Sequence, residues 1–298
     1  MTQALRKAYI ELHIAVALFG LTAILGAKIA LPALVLIWWR MLITAISFLV
    51  LTKVGASLRG LPRKTILQFL GIGVLTMLHW LCFYGAIKLA NASIALACYA
   101  TTSLFSSLLE PLLMNKRIQW YEVVLSALIL PGVYLIKDQT KLEMLPGFWV
   151  GLLGALLASV FTIMNKRLIA KADPMTITFL EIGGGWLSMN LFFPIYLYLH
   201  PEVHFLPSGE DWIYLLVLSL LCTTLGYTLA IRSLRHLSAF ATNLALNLEP
   251  VYGIVLAWLV LNENKDLSAN FYWGGAIIIM AVMSYPYLKR RMFKVGGE

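Results

Sequence analysis

The chain has 298 residues, of which 60% are hydrophobic and only 12% charged, and its formal net charge is +9. Soluble domains run near 45–50% apolar and about 25% charged, so this composition cannot clothe a water-facing surface. The basic excess sits in short clusters between apolar runs, as in loops that face an anionic leaflet, which argues for a lipid bilayer and against a nucleic-acid partner.

Apolar runs bounded by charge, Pro or Gly lie at 8–27, 33–52, 66–87, 93–114 and 119–137, and again at 147–166, 175–199, 211–232, 238–261 and 270–289. Each is long enough to cross a hydrocarbon core of roughly 30 Å as a helix. The runs are continuously apolar instead of alternating, which argues against barrel strands. Arg6 and Lys7 before the first run resemble a signal peptide, but with nine further runs behind it the segment reads as a retained anchor. Cys82, Cys98 and Cys222 all fall inside apolar runs, an odd set that suits packing better than a disulfide framework.

Ten spans place both tails on one side. The tail-side segments carry Arg6, Lys7, Lys53, Arg59, Arg63, Lys64, Lys116, Arg117, Lys166, Arg167, Lys171, Arg232, Arg235, Lys289, Arg290, Arg291 and Lys294. The opposite side carries only Lys28, Lys88, Lys137, Lys141 and Lys265, with Arg40 inside a span. The bias predicts cytoplasmic termini in a multi-pass protein of the cell (inner) membrane.

The chain also repeats. Leu81-Cys82-Phe83-Tyr84-Gly85-Ala86-Ile87-Lys88 and Leu225-Gly226-Tyr227-Thr228-Leu229-Ala230-Ile231-Arg232 both close a third span, and the next spans begin at Ser93 and Ser238 and run to turns near Asn115 and Asn262. A repeat of five spans must insert in opposite orientations, which predicts an all-α integral membrane fold of ten helices: a first five-helix unit over 1–140 and an inverted second one over 141–298.

These residues resemble a known family. Leu248-Glu249-Pro250-Val251-Tyr252-Gly253, running on to Leu261-Asn262-Glu263, is similar to the penultimate helix of EamA-type transporters of the drug/metabolite transporter superfamily. Ala100-Thr101-Thr102-Ser103-Leu104-Phe105, Glu110-Pro111, Phe19-Gly20 and Arg40 after Trp38-Trp39 also fit. Ser103 and Lys116 stand where the second half has Pro250 and Glu263, so a symmetric role for these positions does not follow. The resemblance implies cytoplasmic termini and export or exchange of small metabolites through a central cavity.

Polar groups at membrane depth cost roughly 2.5–3.5 kcal/mol on insertion scales, so those retained point to a cavity or a partner. Glu249 lies near the middle of its span beside Pro250, with Asn243 and Asn247 on one helix face within a turn. It can carry a proton or meet a substrate amine; the alternative is a structural ion pair with Arg40. His79 can relay protons or meet a substrate carboxylate, or simply bond a neighbouring helix, and Thr223 is its counterpart in the second half. Tyr99, Thr101, Thr102 and Ser103 form a polar patch that suits either a cavity wall or hydroxyl contacts between helices.

Arg40, beside Trp38 and Trp39, reads as snorkelling to an interfacial aromatic belt. Glu181 before Gly183-Gly184-Gly185 suits a gate, with close helix packing the better reading. Gly147, Gly151 and Gly154 read as a packing face. Trp80, Tyr84, Tyr99, Tyr227, Tyr252 and Trp258 either line a pathway for amphipathic solutes or belong to interfaces.

A secondary transporter working by alternating access, with amino-acid-like solutes favoured, is therefore expected. Its small-molecule substrate would bind at Glu249, His79, Trp80, Tyr84, Tyr99, Thr102, Asn243, Asn247, Thr223 and Tyr227, while Arg40, Glu181 and Pro250 would gate or support the site. Proton coupling and oligomeric state stay open. A membrane-embedded enzyme acting on a lipid and a passive channel are the alternatives. No cofactor or metal is expected: there is no lysine-containing phosphate loop, and His200 and His204 flank Pro201 in a loop.

Overall fold

The computed structural model describes residues 3–51, 54–138, 141–246, 248–261, 269–270, 272–277, 280 and 284. Among them every regular element is helical. Helices α1 (Gln3–Lys28), α2 (Ala33–Leu51), the short α3 (Val54–Arg59) and α4 (Arg63–Leu89) are followed by the pair α5 (Ala92–Tyr99) and α6 (Thr102–Leu113). Next come α7 (Trp120–Ala127), α8 (Ile129–Asp138), α9 (Leu145–Leu168), α10 (Pro174–Met189) and α11 (Phe193–Leu199). Helix α12 (Gly209–Val217) runs through a π-helical stretch, Leu218–Tyr227, into α13 (Thr228–Ser233), and α14 (Ala239–Leu246) is followed by α15 (Glu249–Leu256).

Seven helical segments among the described residues are long and apolar enough to cross a bilayer. Of the other expected spans, the fifth is shorter, apolar over Trp120–Leu135. The seventh is divided: α10 is capped by Asp173, whose side chain accepts from Thr176 N at 3.0 Å, and the chain turns at Asn190 before Pro194 opens α11. The expected tenth span, 270–289, lies largely outside the described residues.

Two crossings break near their middle. Between α5 and α6 the Thr101 N–H bonds Cys98 O at 3.1 Å, and the Thr101 hydroxyl donates to the same carbonyl at 2.7 Å. Side-chain hydroxyls thus take up carbonyls that the interrupted ladder leaves free. Between α14 and α15 the Leu248 N–H bonds Ala245 O at 3.1 Å, and Pro250, which has no N–H to continue the ladder, sits in the first turn of α15. In the π-helical stretch, Thr223 and Thr224 reach back five residues to Leu218 O and Ser219 O at 2.8 and 3.0 Å.

Helix α4 is central, packed between α9 and α10. Glycines allow the approach: a Cβ on Gly147 would stand 2.8 Å from Ala90 Cβ, and one on Gly151 2.9 Å from Cys98 Cβ. On the other side, a Cβ on Gly184 would stand 2.8 Å from the Leu70 backbone. Both glycine clusters therefore act as close-packing faces. The outer surface is apolar, with Leu49, Val50, Leu67, Leu112 and Leu191 all more than half exposed, as suits lipid.

Candidate functional site

Helices α1, α2, α4, α5, α9, α14 and α15, with the π-helical stretch and α13, enclose a cavity of about 660 Å³ including its mouth. Its wall holds Arg40 and Glu249 together with His79, Trp80, Phe83, Tyr99, Phe161 and Tyr227, plus Phe19, Thr22, Thr162 and Thr242. The mostly apolar wall with a few convergent polar groups is the usual character of ligand pockets.

Arg40 does not snorkel. Only 4% exposed, it turns into the protein, where Nε donates to Thr223 Oγ1 at 2.8 Å and Nη1 to the Tyr84 hydroxyl at 2.6 Å. Its Cζ lies 3.8 Å from the centre of the Trp80 ring, so the guanidinium rests on an aromatic face. Tyr84 and Thr223 are not part of the wall; they hold Arg40 from behind. The neighbouring Trp38 and Trp39 bond elsewhere, to Asn190 Oδ1 at 3.1 Å and Phe205 O at 2.8 Å, within an aromatic cluster that includes Trp186 and Phe193.

Glu249 opens α15 just past the helix break, at the positive end of a half-helix. It is 4% exposed and lines the cavity; Arg40 and Thr22 are the side chains that interact with it. The ion pairs among the described residues do not include Arg40 with Glu249. Arg40 and Glu249 thus share one cavity without forming an ion pair.

His79 bonds Gly154 O through Nδ1 at 2.8 Å. A carbonyl only accepts, so Nδ1 carries the proton and Nε2 is left as the acceptor. The ring sits among Tyr99 and Phe161, with centroids 5.7 and 5.4 Å away. The bond ties α4 to α9, and the same residue lines the cavity.

Thr102 and Asn243 are buried outside the wall: Thr102 donates to Tyr99 O, and Asn243 Nδ2 donates to Ser106 Oγ at 2.6 Å. Asn247 lies outside the described residues. Glu181 is fully buried and accepts from Tyr227, itself a wall residue, at 2.7 Å. Tyr252 and Trp258 are about half exposed and away from the wall. Thr22, Phe161, Thr162 and Thr242 went unread in the sequence, because lone Thr and Phe residues in apolar runs carry no pattern that separates a cavity wall from a packed helix. Among the described residues no three His, Cys, Asp or Glu side chains converge to hold a metal.

A family model described as the EamA-like transporter family matches residues 6–137 and again 145–285. The chain is similar to the uncharacterized transporter YxxF of Bacillus subtilis (strain 168), 24% identical over 95% of this chain and 90% of that one. It is also similar to the uncharacterized transporter YdfC of the same organism, 26% identical over 81% and 76%. A solved crystal structure superposes with a TM-score of 0.69 over 95% of this chain and 98% of its own, at 19% identity, a likeness of fold. With two matches that together take in nearly the whole length, and with several apolar helices long enough to cross a bilayer, the chain belongs to the EamA-like transporter family of multi-pass membrane proteins.

Proposed function

We propose that the protein is a secondary transporter that exports or exchanges small amino-acid-like metabolites by alternating access. The observation that carries this reading is the unpaired coexistence of Arg40 and Glu249 in one aromatic-walled cavity. Two guanidinium N–H groups are committed to Thr223 and Tyr84, and the remaining donors suit a carboxylate. Glu249 suits an ammonium group, and Trp80, Phe83, Tyr99 and Phe161 suit an apolar side chain. A zwitterion satisfies both charges at once, whereas a singly charged solute leaves one of them buried and uncompensated.

The cycle we infer uses two five-helix units, 1–140 and 141–298, inserted in opposite orientations with both termini cytoplasmic, in the cell (inner) membrane. The doubled family match supports it, as do the mid-crossing breaks at corresponding places, between α5 and α6 and between α14 and α15. Broken helices at a repeat interface are how such carriers place helix ends at the midplane. Polar contacts tie each end of the molecule. Where α1 begins, Arg232 meets Glu11 at 3.2 Å and Lys166 donates to Leu234 O at 2.6 Å. Where α1 ends, Asp211 accepts from Ala30 N at 2.9 Å and Lys88 donates to Ile29 O at 2.5 Å.

The test is counterflow of labelled L-phenylalanine in proteoliposomes. Saturable counterflow is expected, reduced more than about tenfold in both Arg40→Gln and Glu249→Gln, each of which removes a charge-assisted contact. Undiminished flux in both variants removes the charge pair from the mechanism, and flux without counterflow indicates a pore.

A further inference from the structure

Tyr227 links the cavity to a second buried acid. Its ring belongs to the wall, and its hydroxyl donates to Glu181 Oε2 at 2.7 Å. Asn165 of α9 donates through Nδ2 to the same oxygen at 3.2 Å, and Thr76 of α4 has its hydroxyl 3.4 Å from that of Tyr227. Glu181 and Asn165 are both 0% exposed. The other two oxygens of the cluster, Glu181 Oε1 and Asn165 Oδ1, receive no hydrogen bond from any described residue.

Two buried acceptors without a donor are costly in a low-dielectric interior. A carboxylate only accepts, but a carboxylic acid carries one O–H. A proton on Oε1 turns one orphan acceptor into a donor, and Asn165 Oδ1 is the acceptor on the amide already bonded to that carboxyl. The neutral acid therefore answers both unmet demands, and the anion answers neither.

Charge compensation is not supplied by the surroundings. Of the elements around α10, α2 carries Arg40, held by Tyr84 and Thr223. Helix α3 carries Arg59, and α4 carries Arg63, Lys64, Cys82, Tyr84, His79 held by Gly154 O and Lys88 held by Ile29 O. Helix α9 brings Arg167 and Lys166, the latter held by Leu234 O, and α13 brings Arg232, paired with Glu11. None of them ion-pairs with Glu181, and the titratable side chain in contact with it is Tyr227. The packing is also tight: a Cβ on Gly73 of α4 would stand 2.1 Å from Glu181 O.

We propose that Glu181 is a proton-binding site of this carrier, occupied in the packing described and exchanging its proton with the cavity through the Tyr227 hydroxyl. Uptake passes the Tyr227 hydroxyl proton to Glu181 Oε2 while the phenol oxygen takes one from the cavity, and rotation of the carboxyl group exchanges that oxygen with Oε1. Losing the proton leaves a bare carboxylate between α4, α9 and α10, so proton release drives these helices apart and couples a proton gradient to the cycle. The coupling rests on the transporter reading above; the proton site itself does not.

Infrared spectra of the full chain in nanodiscs test the site without any substrate. At neutral pH a protonated-carboxyl carbonyl band is expected that disappears in Glu181→Gln and survives in Glu249→Gln. A wild-type minus Glu181→Gln difference without that band overturns the proposal. Tyr227→Phe should keep the band and slow its shift on transfer to heavy water by more than about tenfold, since a proton relay has been cut; an unchanged rate overturns the relay. In proteoliposomes, Glu181→Gln should lose pH-gradient-driven phenylalanine accumulation by more than about tenfold. Accumulation that persists overturns the coupling. If wild-type protein carries no phenylalanine, the substrate reading fails while the spectra still decide the proton site.

Discussion

Gly26→Ala should damage transport from a position that touches neither charge of the cavity. A Cβ at Gly26 would stand 2.3 Å from Tyr84 Cε1 and 2.6 Å from Cδ1. Non-bonded carbons settle near 3.5–4.0 Å, so the ring has to retreat by about 1 Å or more. Tyr84 is fully buried, with the Phe83 ring 5.5 Å away. Overpacking of this kind costs about 1–3 kcal/mol, against a gain of roughly 0.5–1 kcal/mol from replacing a mid-helix glycine. The difference of those two magnitudes is a net destabilisation of about 1 kcal/mol, within roughly 0–2.5 kcal/mol. The displaced ring also takes its hydroxyl away from Arg40 Nη1, now at 2.6 Å, and a hydrogen bond to a charged group contributes about 1.5–3 kcal/mol. Arg40 is then held by Thr223 and Trp80 alone, and affinity for a carboxylate should fall about tenfold. The assay pairs thermal unfolding in detergent with counterflow, using Tyr84→Phe as the control that deletes the hydroxyl and keeps the ring. The flux losses of Gly26→Ala and Tyr84→Phe should not add in the double variant, because both act through one hydrogen bond. A Gly26→Ala protein that melts and transports like wild type refutes the reasoning.

Two further outcomes follow from contacts elsewhere. Glu110→Ala should destabilise the fold by about 2–3 kcal/mol, since its carboxylate accepts from Phe240 N at the start of α14 at 2.6 Å and pairs with Lys116 at 3.1 Å; thermal unfolding checks it, and an unchanged midpoint contradicts it. Trp80→Leu should keep the fold and raise the counterflow half-saturation concentration about tenfold, because the ring 3.8 Å beneath Arg40 contributes about 2 kcal/mol when desolvated; an unchanged half-saturation would mean that the ring does not orient the guanidinium.

The membrane class was legible because apolar run length is a one-dimensional quantity. The packing role of Gly147, Gly151 and Gly154 was equally readable, since their spacing keeps them on one helix face. Arg40 was not. Its place along α2 suggested the interface, but the direction of its side chain is set by Tyr84 and Thr223, 44 and 183 positions away in the chain. Glu181 was read only from the glycine run that follows it, whereas its bonds to Asn165 and Tyr227 come from α9 and the π-helical stretch.

By itself the sequence determined that this chain is a multi-pass membrane protein, because the cost of burying polar groups in hydrocarbon leaves its mark residue by residue. Only the tertiary structure decided which of those groups share a cavity, which are held behind its wall and which face one another. Those outcomes depend on the rotation of each helix about its axis and on where its ladder breaks, and both are settled by packing between segments far apart in the chain.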